Sequence, residues 1–225
     1  MPSQTEPHSA LLPDGPEAPH DCRRCQRLAA FRDEHKLLEP DWFNAPVPSF
    51  GQADGRLLIV GLAPGLKGAN RTGRPFTGDY AGELLYGTLV TFGFATGRYG
   101  ADPADGLVLS DCMISNAVRC VPPQNKPTPE EITNCRPFLV ARIAALPNLT
   151  AILALGRIAH EQTLSTLGAK RSAFPFAHGA QHTVAPDLTL FDSFHCSRYN
   201  TQTGRLTQAM FHTVFDAIRR HLGDT

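Results

Sequence analysis

The sequence lacks several features that would fix its class at once. It has no net charge, with 21 basic residues against 21 acidic ones in 225. A chain without charge excess does not hold nucleic acid through a bulk electrostatic coat, although a local basic face stays open. No apolar run approaches the roughly 20 residues that cross a bilayer. The N-terminus has no basic region followed by an apolar stretch, so no secretory leader is expected, and the cytoplasm is the expected setting. There is no internal repeat and no Asn-Gly hairpin signal. The single tryptophan, Trp42, falls in an irregular, proline-containing stretch, 39–55, that is too apolar to be a free linker.

What is present is an ordinary globular composition. Hydrophobic residues make up 42% and charged residues 19%, and the length suits one domain with a substantial core. Residues 1–20 hold five prolines and little apolar material. A disordered tail is expected there, followed by a single domain over 21–225.

The apolar run 56–60 reads as a buried strand, and it stops at a loop rich in glycine and proline, 61–79. A helix follows over 80–94. A second strand over 111–115 ends at Asn116. A proline-rich loop leads to a helix with Thr128 as cap and Pro129 at its first position, ending near 146. A third strand at 151–155 runs into a helix over 157–167. Residues 168–187 read as loop, with His178 and His182. A fourth strand at 188–193 ends at Phe194-His195-Cys196-Ser197, and a last helix is expected over 203–222. Strand, loop and helix recur four times. The fold expected is a three-layer α/β/α sandwich with a central, mainly parallel, four-stranded sheet.

In such a sheet the carboxyl ends of the strands share one edge, where ligands bind. That edge would carry Gly61, Ala63, Phe76 and Asp79 from the first unit, Asn116 from the second and His195 from the fourth. An aromatic, a carboxylate, an amide and an imidazole around a small-residue loop suit a planar heterocycle. Phe76 can stack on a ring. Asn116 can read a carbonyl beside an N–H. His195 can donate to an oxygen that gains charge. Each has a plainer reading: Phe76 as core, Asp79 as a helix cap, Asn116 as an Asx-turn, His195 as structural.

Six cysteines form a second pattern. Cys22 and Cys25 have two residues between them, a firm metal signal, whereas Cys120 and Cys135 are separated by fourteen. Four thiolates suit zinc or a [4Fe–4S] cluster, and spacing alone does not choose. Cys112 sits inside a strand. Cys196 adjoins His195 and is a candidate reactive thiol without an evident partner set.

Four stretches together resemble the iron–sulfur branch of the uracil-DNA glycosylases, closest to its type-5 group. They are Gly61-Leu62-Ala63-Pro64-Gly65 continuing through Arg74-Pro75-Phe76-Thr77-Gly78-Asp79, Ser115-Asn116-Ala117-Val118-Arg119-Cys120 with Cys135 beyond, His195-Cys196-Ser197 with Asn200-Thr201-Gln202-Thr203-Gly204-Arg205, and the Cys22/Cys25 pair. The resemblance covers residues 22–222. It implies hydrolysis of the N-glycosidic bond of uracil, and of other deaminated bases such as hypoxanthine, in DNA by a monomer. It further implies a structural [4Fe–4S] cluster on Cys22, Cys25, Cys120 and Cys135, Phe76 and Asn116 as base-binding groups, and His195 as the histidine that assists base release. Leu62 and Ala63 are apolar where other branches place polar residues, which is the type-5 pattern and makes Asp79 the water-handling carboxylate. Arg198, Asn200 and Arg205 would meet DNA. Cys196 departs from the family, which has proline after the histidine. The rival readings are a uracil-restricted type-4 enzyme, which a hypoxanthine substrate separates, and a non-catalytic metal-stabilised DNA-binding module, which a uracil excision assay separates.

Overall fold

A computed structural model describes residues 15–223. In chain order the elements are α1 (Gln26–Leu38), β1 (Phe50–Gly51), β2 (Leu57–Gly61), α2 (Ala69–Thr72), α3 (Tyr80–Thr91), β3 (Ala95–Thr96), β4 (Val108–Leu109), β5 (Cys112–Asn116), α4 (Pro129–Ala144), β6 (Ala151–Leu155), α5 (Arg157–Thr166), β7 (Gln181–Ala185), β8 (Leu188–Ser193), α6 (Arg198–Gln202) and α7 (Gln208–His221).

The main sheet has the order β1-β5-β2-β6-β8-β7. Its four central strands are the expected ones, and they are parallel. The sheet is nevertheless six-stranded, because β1 and β7 add antiparallel edges. Both edges lie in stretches that read as irregular or loop. β1 is two residues long, and β7 alternates exposed and half-buried positions, so neither has a buried apolar run to announce it. The β7–β8 hairpin turns at Pro186-Asp187 instead of Asn-Gly.

Alternation along β2 builds the layers. Leu57 and Ile59 pack with Leu85 and Leu89 of α3 and Phe211 and Phe215 of α7. Leu58 and Val60 point the other way, toward Leu139 of α4 and Ala159 and Leu164 of α5. A third apolar cluster joins Leu28 of α1 to Val118, Ile132 and Phe138.

The helix starts follow local chemistry. Thr128 accepts from the Glu131 N–H while the Glu131 carboxylate accepts from the Thr128 N–H, a full capping box. The last helix begins at Gln208, later than expected, because Gly204 takes a left-handed φ of 70° after α6 and Thr207 caps α7.

Residues 1–14 of the expected tail lie outside the described residues. Glu17, near its end, is bonded to Arg119, Arg142 and the Ser49 N–H. No helix among the described residues is long and apolar enough to cross a membrane.

Candidate active site

β2 and β5 end side by side, with Gly61 paired to Asn116 in register. This is where a missing side chain matters most. A β-carbon on Gly61 would lie 2.4 Å from Asn116 Oδ1 and 2.8 Å from the Phe76 ring. Glycine is required for Asn116 and Phe76 to meet over the strand end. Asn116 is buried, yet among the described residues its carboxamide makes no hydrogen bond, so both its polar ends remain for a ligand.

The loop after β2 is held rigidly. Arg74 is buried and forks onto Asp105 at 2.9 and 2.7 Å, with the faces of Phe50, Tyr86 and Tyr99 around its guanidinium. Tyr86 donates to the Pro75 carbonyl at 2.6 Å, and Tyr99 donates to the Phe76 carbonyl at 3.2 Å. These bonds keep Phe76 at a left-handed φ of 54°, a conformation that costs a non-glycine residue about 1–3 kcal/mol. Sequence reading missed Arg74, Tyr86 and Tyr99, since they act through tertiary contacts.

Asp79 is the expected helix cap and also lines the cavity. It caps α3, with Oδ1 accepting from the Gly82 N–H at 3.1 Å. Its Oδ2 faces Gly65 across the cavity wall, where a β-carbon would come within 3.5 Å of it. Burial raises its carboxyl above the ordinary range, partly offset by the N–H groups of Gly82 and Ala81.

His195 arrives from the end of β8. Its ring lies 5.9 Å from that of Phe76, tilted by 29°. Burial pushes its pKa down to about 4, so the imidazole is neutral at physiological pH. Asn200 donates to the His195 carbonyl at 2.8 Å and thereby fixes the loop.

Phe76, Asp79, Asn116 and His195 line one cavity of about 290 Å³, with Leu62, Ala63, Pro64 and Gly65 as its wall and Asn125 and Ser197 at its polar rim. The volume is at the small end for a ligand site, the size for one flat group. Sequence reading assigned Asn125 and Ser197 no role in the site, although Ser197 falls in the His195-Cys196-Ser197 stretch. Phe76 also belongs to the core, so its plain reading as a core residue holds.

At the mouth stands α6. Tyr199 is 71% exposed, the most exposed aromatic ring among the described residues. Arg198 is exposed and lies over the Tyr80 ring at 5.8 Å. Arg205 lies over Phe194 at 4.7 Å, in a groove beside His195 that Arg157 and His178 also line. Cys196 is fully buried in the core, where burial raises its thiol far above the reactive range, so it is no nucleophile.

Cys22, Cys25, Cys120 and Cys135 converge on one apolar cavity with Leu28, Val118 and Phe138. None is in a disulfide. Burial pushes Cys120 up to about 12 and Cys135 up to about 11, so thiolates there need a cation beside them. Arg32 donates to Cys120 Sγ at 2.8 Å and the Arg119 N–H to Cys135 Sγ at 3.2 Å, both bonds that favour thiolate sulfur.

Residues 48–219 match the family described as the Uracil DNA glycosylase superfamily. A type-5 uracil-DNA glycosylase of Thermus thermophilus is 45% identical over 208 residues, covering 90% of this chain and 94% of that protein. A type-5 uracil-DNA glycosylase of Mycobacterium bovis is 39% identical over 211 residues, 90% of this chain and 78% of that protein. A type-4 uracil-DNA glycosylase of Archaeoglobus fulgidus is 36% identical over only 140 residues, 61% of this chain and 56% of that protein.

Proposed function

The chain belongs to the uracil DNA glycosylase superfamily, and from that premise we propose how its residues excise uracil from DNA. The observation that carries the reading is the convergence of Asn116, Phe76, His195 and Asp79 on one cavity of single-base size. The uracil nucleotide leaves the stack and enters this cavity, at a cost of a few kcal/mol that is least for a mispaired base. Phe76 stacks on the ring, and the unpaired Asn116 carboxamide pairs with the uracil carbonyl and N–H.

The bond between the base nitrogen and C1′ breaks with its electron pair going to the base. The sugar gains oxocarbenium character, and uracil leaves as an anion. Neutral His195 donates an N–H to the base oxygen on which charge grows; removing such a donor costs about 2.7–4 kcal/mol of barrier. Asp79 Oδ2 orients the water whose oxygen forms the new bond to C1′. Its proton passes to the carboxylate and then to solvent, leaving an abasic site.

Arg198 and Arg205 contact phosphates along the strand. Asn200 acts chiefly on the His195 loop, and Tyr199 fills the gap left by the extruded nucleotide. Because Leu62 and Ala63 put no polar side chain in the wall, hypoxanthine is a further substrate.

The four cysteines fit a [4Fe–4S] cluster better than a zinc ion. Four thiolates on one zinc lie roughly 3.8 Å apart, given Zn–S near 2.3 Å. Among the described residues the one group of three such donor atoms within 4.8 Å is elsewhere, at His160, His182 and Asp192, and no three of the cysteine sulfurs make such a group. Cys22 and Cys25 just before α1, Cys120 in the loop after β5 and Cys135 on α4 would hold the cluster, which would serve there as a structural tie.

The test is excision from oligonucleotides carrying uracil or hypoxanthine, with visible absorption and metal content of anaerobically purified protein. Absence of uracil excision would overturn the function. Colourless, zinc-loaded protein would overturn the cluster.

A further inference from the structure

One buried cluster of titratable side chains has no part in the chemistry above. Asp192 on β8 is fully buried, and each of its carboxylate oxygens faces an imidazole. Oδ1 is 2.6 Å from His160 Nδ1, and Oδ2 is 3.2 Å from His182 Nε2. The other nitrogen of His160, Nε2, is 2.9 Å from the Phe174 carbonyl oxygen. A carbonyl only accepts, so Nε2 carries a proton. Were the ring neutral, Nδ1 would then turn a lone pair toward a carboxylate oxygen, with two acceptors in contact. A cation lies between them, either a proton or a metal ion. Two ligands held tetrahedrally at 2.0–2.1 Å from zinc are roughly 3.3 Å apart. The observed separation is shorter and close to the charge-assisted N–H···O range of about 2.7–2.9 Å. The distance favours the proton.

We propose that His160 and Asp192 form a buried imidazolium–carboxylate pair, with His182 as second partner, and that this pair is a positioning device for His195. The inference rests on the reading that His195 assists base release. Asp192 stands three residues before His195 on the same strand end. The pair joins α5 to β8, and through the Phe174 carbonyl and His182 it joins both to the stretch 174–182. That stretch also carries His178, whose Nδ1 accepts from the Phe194 N–H at 3.2 Å and whose ring stacks on Phe194 at 5.0 Å. At the start of α5, the Gly156 N–H donates to the Ser193 carbonyl at 2.8 Å. The residues on the N-terminal side of His195 are thus gripped by two elements that the pair holds together.

The other groups around His160 are Glu161 on its own helix, paired with Arg171, and Phe176, which meets the ring edge-on with Arg157 over its face. Burial pushes His160 down, but the Asp192 hydrogen bond and charge outweigh it and the net shift is upward. The charge on the pair is therefore lost as pH rises through that raised value.

Two measurements on the full-length, cluster-loaded protein test this. Nitrogen-15 spectra of the histidine side chains at neutral pH should show His160 protonated at both ring nitrogens, unchanged by EDTA. A neutral ring, or a divalent ion whose removal shifts the His160 signals, overturns the proposal. Single-turnover uracil excision should fall about tenfold or more from neutral to alkaline pH with KM unchanged, as expected when a reacting group is misplaced by a fraction of an ångström. In Asp192→Asn the carboxamide can donate to a neutral Nδ1, so this alkaline fall should vanish while the protein still melts cooperatively. Equal pH profiles in the two proteins overturn the proposal. If His195→Ala leaves the rate unchanged, the assignment of His195 has failed, and the histidine spectra still decide the state of the pair.

Discussion

In the proposed mechanism Asp79 performs two tasks with two oxygens, capping α3 and orienting water, and a suitable substitution separates them. Asparagine caps helices as well as aspartate does, so Asp79→Asn should leave the melting temperature nearly unchanged while lowering the single-turnover rate by about 10²-fold or more. An unchanged rate would reduce Asp79 to its hydrogen bond with Gly82. His195, held near 4 by burial, does not titrate across the neutral range. His195→Ala should cost about 10²–10³ in rate, and the wild-type rate should show no limb from His195 until the pH approaches that value. Gly61→Ala puts a β-carbon 2.4 Å from Asn116 Oδ1 and should lower the rate and raise KM, with less effect on stability than on activity. Kinetics alongside thermal melts would check it. At this scale the sequence named side chains that the fold brings to one cavity, because amide, imidazole and carboxylate at strand ends carry recognisable chemistry. Asn125, Ser197 and Tyr199 were given no role, since nothing in their types or spacing marks a cavity rim.

The loop between β2 and α3 is as decisive as any one side chain in it. Its shape is imposed by Arg74, Tyr86 and Tyr99, which come from the loop itself, from α3 and from the segment after β3. Tyr86→Phe removes the shorter of two bonds to the Pro75 carbonyl and leaves only the Thr77 hydroxyl at 3.4 Å, a loss of about 0.5–1.5 kcal/mol. It should relax Phe76 toward an ordinary φ, which a lower melting temperature and a weakened affinity for uracil-containing DNA would report. The sequence placed the four central strands and the α4 cap well, because a continuous apolar run and a Thr-Pro-Glu-Glu start are local signals. It missed β1 and β7, whose strand identity comes only from neighbours β5 and β8 offering unpaired backbone groups.

For the whole molecule, zero net charge means that DNA affinity must come from a few placed arginines. Arg198→Ala and Arg205→Ala should each make DNA binding less sensitive to salt. The logarithmic slope should fall by roughly 0.7–0.9 for each phosphate no longer neutralised, measured by titration at several salt concentrations. Stability is bound to the same region that holds the cysteines. Glu17 links Arg119 and Arg142 and is held below the ordinary carboxylate range; burial would raise it, but the Arg119 charge and the bonds to Ser49 and Arg142 outweigh that. Its contribution is therefore full at neutral pH and lost as pH falls through its lowered value. Glu17→Gln should lower the melting temperature at neutral pH, and the difference from wild type should shrink on acidification.

The sequence alone determined the family-level architecture and the four parallel strands, and it named the four cysteines and the polar strand-end side chains as candidates. All of these follow from local patterns: apolar runs, caps, close cysteine spacing and residue chemistry at strand ends. Tertiary structure decided which of these groups share a cavity, how Phe76 is held in a strained backbone, and that Cys196 belongs to the core. It also brought His160 against Asp192 across 32 residues of chain. The loop that opens at Gly61 reads in sequence as a break in structure. Only packing shows why it must begin with glycine: two other residues occupy the space that a β-carbon would need.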